Sequence, residues 1–356
     1  MAINTGLAQL SEGLWTAATG TYMLAVVGYT GEYAFGRRGK VNSIAEKHAV
    51  ADDVVRERSL VGAGATGSSA ATPAADKPAA DKAAADKPGW NVGAGVVQTR
   101  TARSEWWGRA AIALTILGGA FHLASVAIRG IAVDRVPWGN MYEFTLVVGL
   151  IATLAWLATL VRLPQLRYLG LFVMLPVLVV MFLAGTLYTK ASKLVPALQS
   201  YWLAIHVSSV ATATGILMTS SALTILFLVR SRYERLGAAS GRRLSELGSR
   251  LPAAATLDKA AYRAAAFAFP IYTAGVIFGA IWAEAAWGRY WGWDPKETWA
   301  FIAWVLYAMY LHARATAGWK GNRAAFINLL GFGAMIFNFF VVNLVISGLH
   351  SYAGLN

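Results

Sequence analysis

The sequence predicts an all-α fold: a polytopic membrane helix bundle of about eight transmembrane helices, with both termini extracytoplasmic. Three observations predict it. Of the 356 residues 57% are hydrophobic and only 14% charged, and apolar runs of about 20 residues, the length that crosses a bilayer, recur along the chain. Arginine and lysine crowd alternate loops between those runs. One short connection, Trp287-Gly288-Arg289-Tyr290-Trp291-Gly292-Trp293-Asp294-Pro295-Lys296-Glu297-Thr298-Trp299, packs tryptophans where a membrane helix meets water. A soluble fold gains little from so much exposed indole, whereas a flat, largely apolar ligand could stack on it.

The spans are read at 15–35, 107–130, 142–162, 168–188, 200–229, 264–284, 299–315 and 326–347. The first is followed by Arg37, Arg38 and Lys40, and the second is preceded by Arg100, Arg103 and Arg109. Arg162 and Arg167 separate the third from the fourth. A basic loop with Arg230, Arg242, Arg250 and Arg263 joins the fifth to the sixth, and Arg314, Lys320 and Arg323 lie between the seventh and eighth. All of these fall on one side if both termini are outside. The opposite loops carry only Arg135, Lys190, Lys193, Arg289 and Lys296, with Arg129 at a span end. That asymmetry sets the orientation, and it accounts for the net charge of +13 without nucleic acid as a partner. No cleavable leader is expected, since residues 1–14 carry no Lys or Arg. With no cysteine, the chain itself can neither relay disulfides nor form a thioether.

Residues 41–104 break the pattern. The run Pro73-Ala74-Ala75-Asp76-Lys77-Pro78-Ala79-Ala80-Asp81-Lys82 cannot bury enough apolar surface to order itself. The expected organisation is an N-terminal transmembrane helix (1–40), a cytoplasmic disordered linker (41–104) with a short helix near 42–59, and a membrane domain (105–356) whose aromatic loop spans 282–299.

The five histidines differ in depth. His48 falls in the linker and reads as solvated. His206 lies about two turns into the fifth span from its outer end, and His350 just past the outer end of the eighth. Taken singly, His206 reads as a helix histidine bonded to a neighbour and His350 as an interfacial one. With the aromatic loop on the same face, the pair reads as two axial ligands of a heme iron. His312 lies roughly 20 Å below the outer start of the seventh span, in the inner half of the membrane, where a histidine is costly and a functional candidate. His122 is about 15 Å nearer the outer side than His312, which makes the two a poor pair for one iron. His122 reads as a packing or hydrogen-bonding residue. Asp294, Pro295 and Glu297 fit an N-cap, N1 and N3 at the start of the seventh span. A helix N-terminus beside Arg289 and Lys296 could also meet a carboxylate, although Asp294 and Glu297 argue against a strongly anionic ligand there.

These residues resemble the CcsA/ResC family of system II cytochrome c biogenesis, whose members carry this tryptophan-rich "WWD" loop and are called CcsB in some bacteria. Four segments carry the resemblance: Val195 through Val207, Trp282 through Trp304, Tyr310-Leu311-His312-Ala313-Arg314, and Gly348-Leu349-His350-Ser351-Tyr352. Pro137, Asn140, Tyr142 and Glu143 resemble an earlier extracytoplasmic motif of the family more weakly. The first span and the linker are outside the common pattern. The resemblance implies a subunit of a cytochrome c synthase, half of a heme lyase without its own nucleophile. It would bind heme b in transit, present it at the extracytoplasmic face and help attach it to the CxxCH motif of an apocytochrome c. His206 and His350 match the outer axial ligands, and His312 an intramembrane ligand completed by a ResB/Ccs-type membrane subunit. Trp287, Trp291, Trp293 and Asp294 match the heme-presenting loop. Thioredoxin-like proteins would reduce the acceptor thiols, and the location would be a bacterial inner membrane rather than a thylakoid. Two rivals remain: a transporter of heme or another amphipathic solute without a role in ligation, and a b-type electron carrier. The carrier wants two histidines at matched depth, which His122 and His312 do not offer.

Overall fold

The computed structural model describes residues 3–35, 101–194, 198–236, 242–316, 318–319, 321–346 and 348–349. The expected linker lies outside the described residues up to position 100, as do the helix near 42–59 and His48, and residues 102–104 already belong to a helix. Among the described residues every regular element is helical: α1 (Thr5–Phe35), α2 (Ala102–Val133), α3 (Met141–Arg162), a 3₁₀ turn (Pro164–Leu169), α4 (Gly170–Thr186), α5 (Tyr201–Leu236), α6 (Arg242–Arg250), α7 (Ala254–Trp287), α8 (Pro295–Ala315) and α9 (Asn322–Leu344). Each predicted span overlaps one α-helix, the fourth also taking in the end of the 3₁₀ turn. Among the described residues, six segments are long and apolar enough to cross a membrane, namely α2, α3, Pro164–Thr186, α5, α7 and α9. This is therefore a multi-pass membrane protein; α1 and α8 are not among the six.

Helix ends differ from span ends for a physical reason. Hydropathy marks where a helix leaves the apolar layer, not where its backbone bonding stops. Thus α5 continues past 229 through Arg230, whose Nε lies 2.7 Å from Glu234 Oε1 one turn on. Before 264, α7 already includes Asp258, which pairs with Arg314 at 2.6 Å. The short α6 lies in what reads from sequence as loop.

The loops gather at two ends of the bundle. At one, Asn4 N donates to Ala132 O (3.0 Å), Arg135 reaches Ser192 O (3.2 Å), and Leu349 N donates to Asp294 Oδ1 (2.8 Å). At the other, Thr101 Oγ1 donates to Phe35 O (3.2 Å), Arg167 pairs with Glu105 (3.4 Å), and Ser231 meets Asn322 (3.4 Å). The first end is fastened by Glu143, fully enclosed between Arg129 (3.2 Å) and Arg135 (2.8 Å). Arg129 also donates to Thr189 O at 2.6 Å, so one carboxylate anchors both the 134–140 loop and the 187–200 loop.

Between the ends, α1 packs along α2, α5 along α7 and α8 along α9, with α3 between α4 and α5. Small residues permit the closest approaches: a Cβ on Gly118 would stand 2.6 Å from the Tyr22 ring. Polar side chains also join helices. Asn328 Nδ2 donates to Ser220 Oγ (3.1 Å) and Thr224 Oγ1 (2.7 Å), and Ser220 Oγ donates to Ala261 O (2.8 Å). Ser220→Ala removes two of these bonds with little change of volume. It is expected to cost about 1 kcal/mol in reversible unfolding in detergent or bicelles; an unchanged unfolding midpoint would mean that Asn328 does not join the helices through this serine.

Candidate functional site

His206 is positioned by the contact between α5 and α7. Gly275 and Gly279 lie four residues apart on α7 and so share one face. With no Cβ there, the imidazole lies against the α7 backbone, and its Nδ1 is 2.7 Å from Gly275 O. A Cβ on Gly279 would stand 2.6 Å from His206 Cε1. A carbonyl can only accept, so Nδ1 carries a proton; in the neutral ring the lone pair is then on Nε2, the arrangement that orients an imidazole for a metal. The ring also stacks on Trp282, centroids 6.2 Å apart and planes 11° apart. Trp282 is buried and meets Trp287 edge-on at 4.8 Å.

Two cavities, of about 150 and 110 Å³, flank this histidine. His206, Val210, Tyr272, Trp282, Lys296 and Asn338 line both. The larger is closed by Phe144, Val207, Met335 and Phe339 from α3, α5 and α9. The smaller opens under the aromatic loop, at Trp287, Tyr290 and Trp291.

The loop is built from its two helix ends. Gly288 ends α7 in the left-handed region (φ 71°), its N–H on Glu284 O at 2.8 Å. A capping box opens α8, as the spacing of Asp294 and Glu297 predicts. Glu297 Oε2 accepts from Gly292 N (2.8 Å) and Asp294 N (3.2 Å), folding the loop back on the helix. Asp294 does more than cap. One oxygen accepts from Lys296 N (3.2 Å) and the other from Leu349 N (2.8 Å), tying the loop to the chain just ahead of His350. Trp291 packs edge-on against Trp293 (5.8 Å, 87°). Trp293 itself has φ 58° and is 66% exposed, so it faces outward and lines neither cavity.

The structure thus brings His206, Trp287 and Trp291 to one cavity, with Asp294 bracing the loop beside it. His350 lies outside the described residues, though Gly348 and Leu349 reach Asp294. His312 is near the far end of α8, roughly 25 Å along the axis from Pro295. Its side chain is exposed and has no hydrogen-bond partner among the described residues. His122 is fully buried, its Nδ1 3.3 Å from Tyr22 Oη on α1, as a hydrogen-bonding histidine should be. Sequence reasoning had Trp282 in the aromatic segment without a role of its own, and missed Tyr272 and Asn338, the inward course of Lys296, and the two glycines. The glycines had a signal, since Gly275-Val276-Ile277-Phe278-Gly279 is a small-residue motif for close helix approach.

The chain shares its helical fold with a solved structure. It is similar to the solved structure of the cytochrome c heme lyase CcmF, with a TM-score of 0.58 and 17% identity, covering 94% of this chain and 46% of that one, a likeness of fold alone. The chain belongs to the CcsA family of cytochrome c assembly proteins: the sequence model of the family described as cytochrome C assembly protein matches residues 138–350. It is 41% identical over 190 residues to the cytochrome c biogenesis protein CcsA of Trieres chinensis, covering 47% of this chain and 61% of that protein. With CcsA of Synechococcus elongatus it shares 40% over 213 residues, 49% of this chain and 66% of that one. With CcsA of Mesostigma viride it shares 34% over 252 residues, 64% of this chain and 80% of that one. The match thus spans between about three fifths and four fifths of these relatives' lengths. α1 and α2 precede the matched region of the family.

Proposed function

We propose that this chain is the heme-presenting subunit of a system II cytochrome c synthase. The observation that supports the reading best is His206: an imidazole oriented by Gly275 O at its Nδ1 and set between two largely apolar cavities under a tryptophan loop. Heme b is the substrate in transit. His206 and His350 hold it at the outer face as axial ligands, and Trp287, Trp291 and Trp293 offer it aromatic contact, Trp293 from the exposed side of the loop. The acceptor is an apocytochrome c with a CxxCH motif, its thiols kept reduced by thioredoxin-like proteins. Each thiol adds across one heme vinyl group, forming a C–S bond while the thiol proton goes to the other vinyl carbon. The chain contributes no nucleophile; its part is positioning, which can supply much of a bimolecular barrier.

His312, exposed on α8 at the far end from the loop, is the ligand of an inner heme completed by a ResB/Ccs-type subunit. In this reading α1 and α8 also cross the membrane, giving eight spans with both termini extracytoplasmic, as the alternation of basic loops supports. The membrane is a bacterial inner membrane.

Co-expression tests the proposal. With a ResB/Ccs-type subunit the purified complex is expected to carry heme, and a CxxCH acceptor to gain covalent heme only when this chain is present. His312→Ala should deplete the inner heme, and the outer heme with it if the inner feeds the outer. Heme that loads fully but attaches to acceptor equally well without the chain would leave a transporter. A fully occupied six-coordinate intramembrane heme in the isolated chain would remove the shared site.

A further inference from the structure

The cavity beside His206 contains a cation that the iron-ligand reading does not use. Lys296, the second residue of α8, lines both cavities and donates to Asn343 Oδ1 on α9. No carboxylate lies within ion-pair distance of its ammonium among the described residues. The two acidic residues next to it in sequence face other donors. Asp294 accepts the N–H groups of Lys296 and Leu349, and Glu297 those of Gly292 and Asp294. The acidic character that argues from sequence against an anionic ligand is thus partly taken up by backbone N–H groups, and it adjoins the smaller cavity through Glu297 rather than the larger one.

An ammonium has three N–H donors, and Asn343 takes one. Beside it Asn338 lines both cavities, and its Oδ1 is buried without a partner among the described residues. Rotation of that amide exchanges C=O for NH₂, so the same position can donate. In the larger cavity, whose lining includes no carboxylate, a cation and an amide facing mainly apolar walls are costly unless a ligand supplies the missing charge and acceptors.

We infer that Lys296, with Asn338 beside it, is a carboxylate-binding site for the amphipathic ligand that His206 holds, taking one propionate of heme. The inference rests on the heme reading and adds orientation to it. The propionates and the vinyl groups occupy opposite edges of the porphyrin. A propionate held at the start of α8 turns the vinyl edge away from Lys296, where acceptor thiols can meet it. Ligation by histidine alone fixes the iron but leaves the ring free to rotate about the axial bonds.

The test compares iron protoporphyrin IX with its dimethyl ester, which keeps the ring, iron and vinyl groups and masks both carboxylates. Binding is measured on the full chain in complex with its membrane partner, in wild type, Lys296→Met and Lys296→Arg. Wild type is expected to prefer the free acid by about 10–100-fold, the size of a charge-assisted hydrogen bond. Lys296→Met should lose that preference while binding the ester as wild type does, which also reports that its cavity is intact. Lys296→Arg should keep part of the preference. Equal binding of acid and ester by wild type, or an undiminished preference in Lys296→Met, overturns the carboxylate site and leaves the heme reading standing. Binding of neither porphyrin by wild type overturns the heme reading and this inference with it.

Discussion

His206→Ala is expected to produce the largest loss of outer heme. The substitution removes a proposed axial ligand and the only described histidine that lines either cavity. Disturbing a residue that merely orients a metal ligand costs 10–100-fold in affinity, so losing the ligand should cost more than 100-fold, read as heme retained through purification and as yield of holocytochrome. Added imidazole should restore part of both by filling the vacated axial position. Gly279→Val separates ligation from packing. It leaves His206 in the chain but brings side-chain atoms into the imidazole, where even a Cβ would be at 2.6 Å. It should cost 10–100-fold and shift the heme spectrum without abolishing it. Full heme loading and full cytochrome yield in His206→Ala, alone and with His350→Ala, would rule out histidine ligation at the outer face.

Asp294→Asn should give the second-largest effect, for a reason that differs from capping. Asn is as good an N-cap as Asp, so α8 should start normally and thermal stability should stay near wild type. The bond to Leu349 N needs the second carboxylate oxygen, and an amide NH₂ facing that N–H sets donor against donor. The segment ahead of His350 then loses its tie to the loop, and heme held at the outer face should fall about tenfold, the equivalent of one hydrogen bond to a charged group. Asp294→Ala loses the cap as well and should cost about 1 kcal/mol more in stability. If Asp294 acted chiefly through its negative charge near Lys296, removing that charge would instead strengthen binding of a carboxylate-bearing ligand. The sign of the change in Asp294→Asn therefore distinguishes the tether from the charge.

The sequence by itself determined the class of protein and the placement of its long helices. An apolar run of bilayer length has one regular backbone solution in lipid, because every N–H and C=O must be satisfied within the segment. It also determined the capping box, since N-cap and N3 are three residues apart and need no tertiary partner. His206 and the aromatic loop stood out as chemically improbable in a bilayer, and Trp287 and Trp291 do line the cavity beside His206. Hydropathy did not mark where α5 and α7 end, because Arg230, Asp258 and their neighbours are polar yet helical.

The tertiary structure decided what those residues face. Gly275 O meets His206 from 69 positions away, and Leu349 meets Asp294 from 55 away. No periodicity specifies which helix faces which across such distances; the packing of α5 on α7, and of the segment after α9 on the start of α8, does. The same packing turned Lys296 inward while Asp294 and Glu297 took backbone partners, so a loop that reads as acidic presents a cation to its cavity. Charge can be counted along a chain, but its direction is set by which donors lie within hydrogen-bonding reach once the helices are packed.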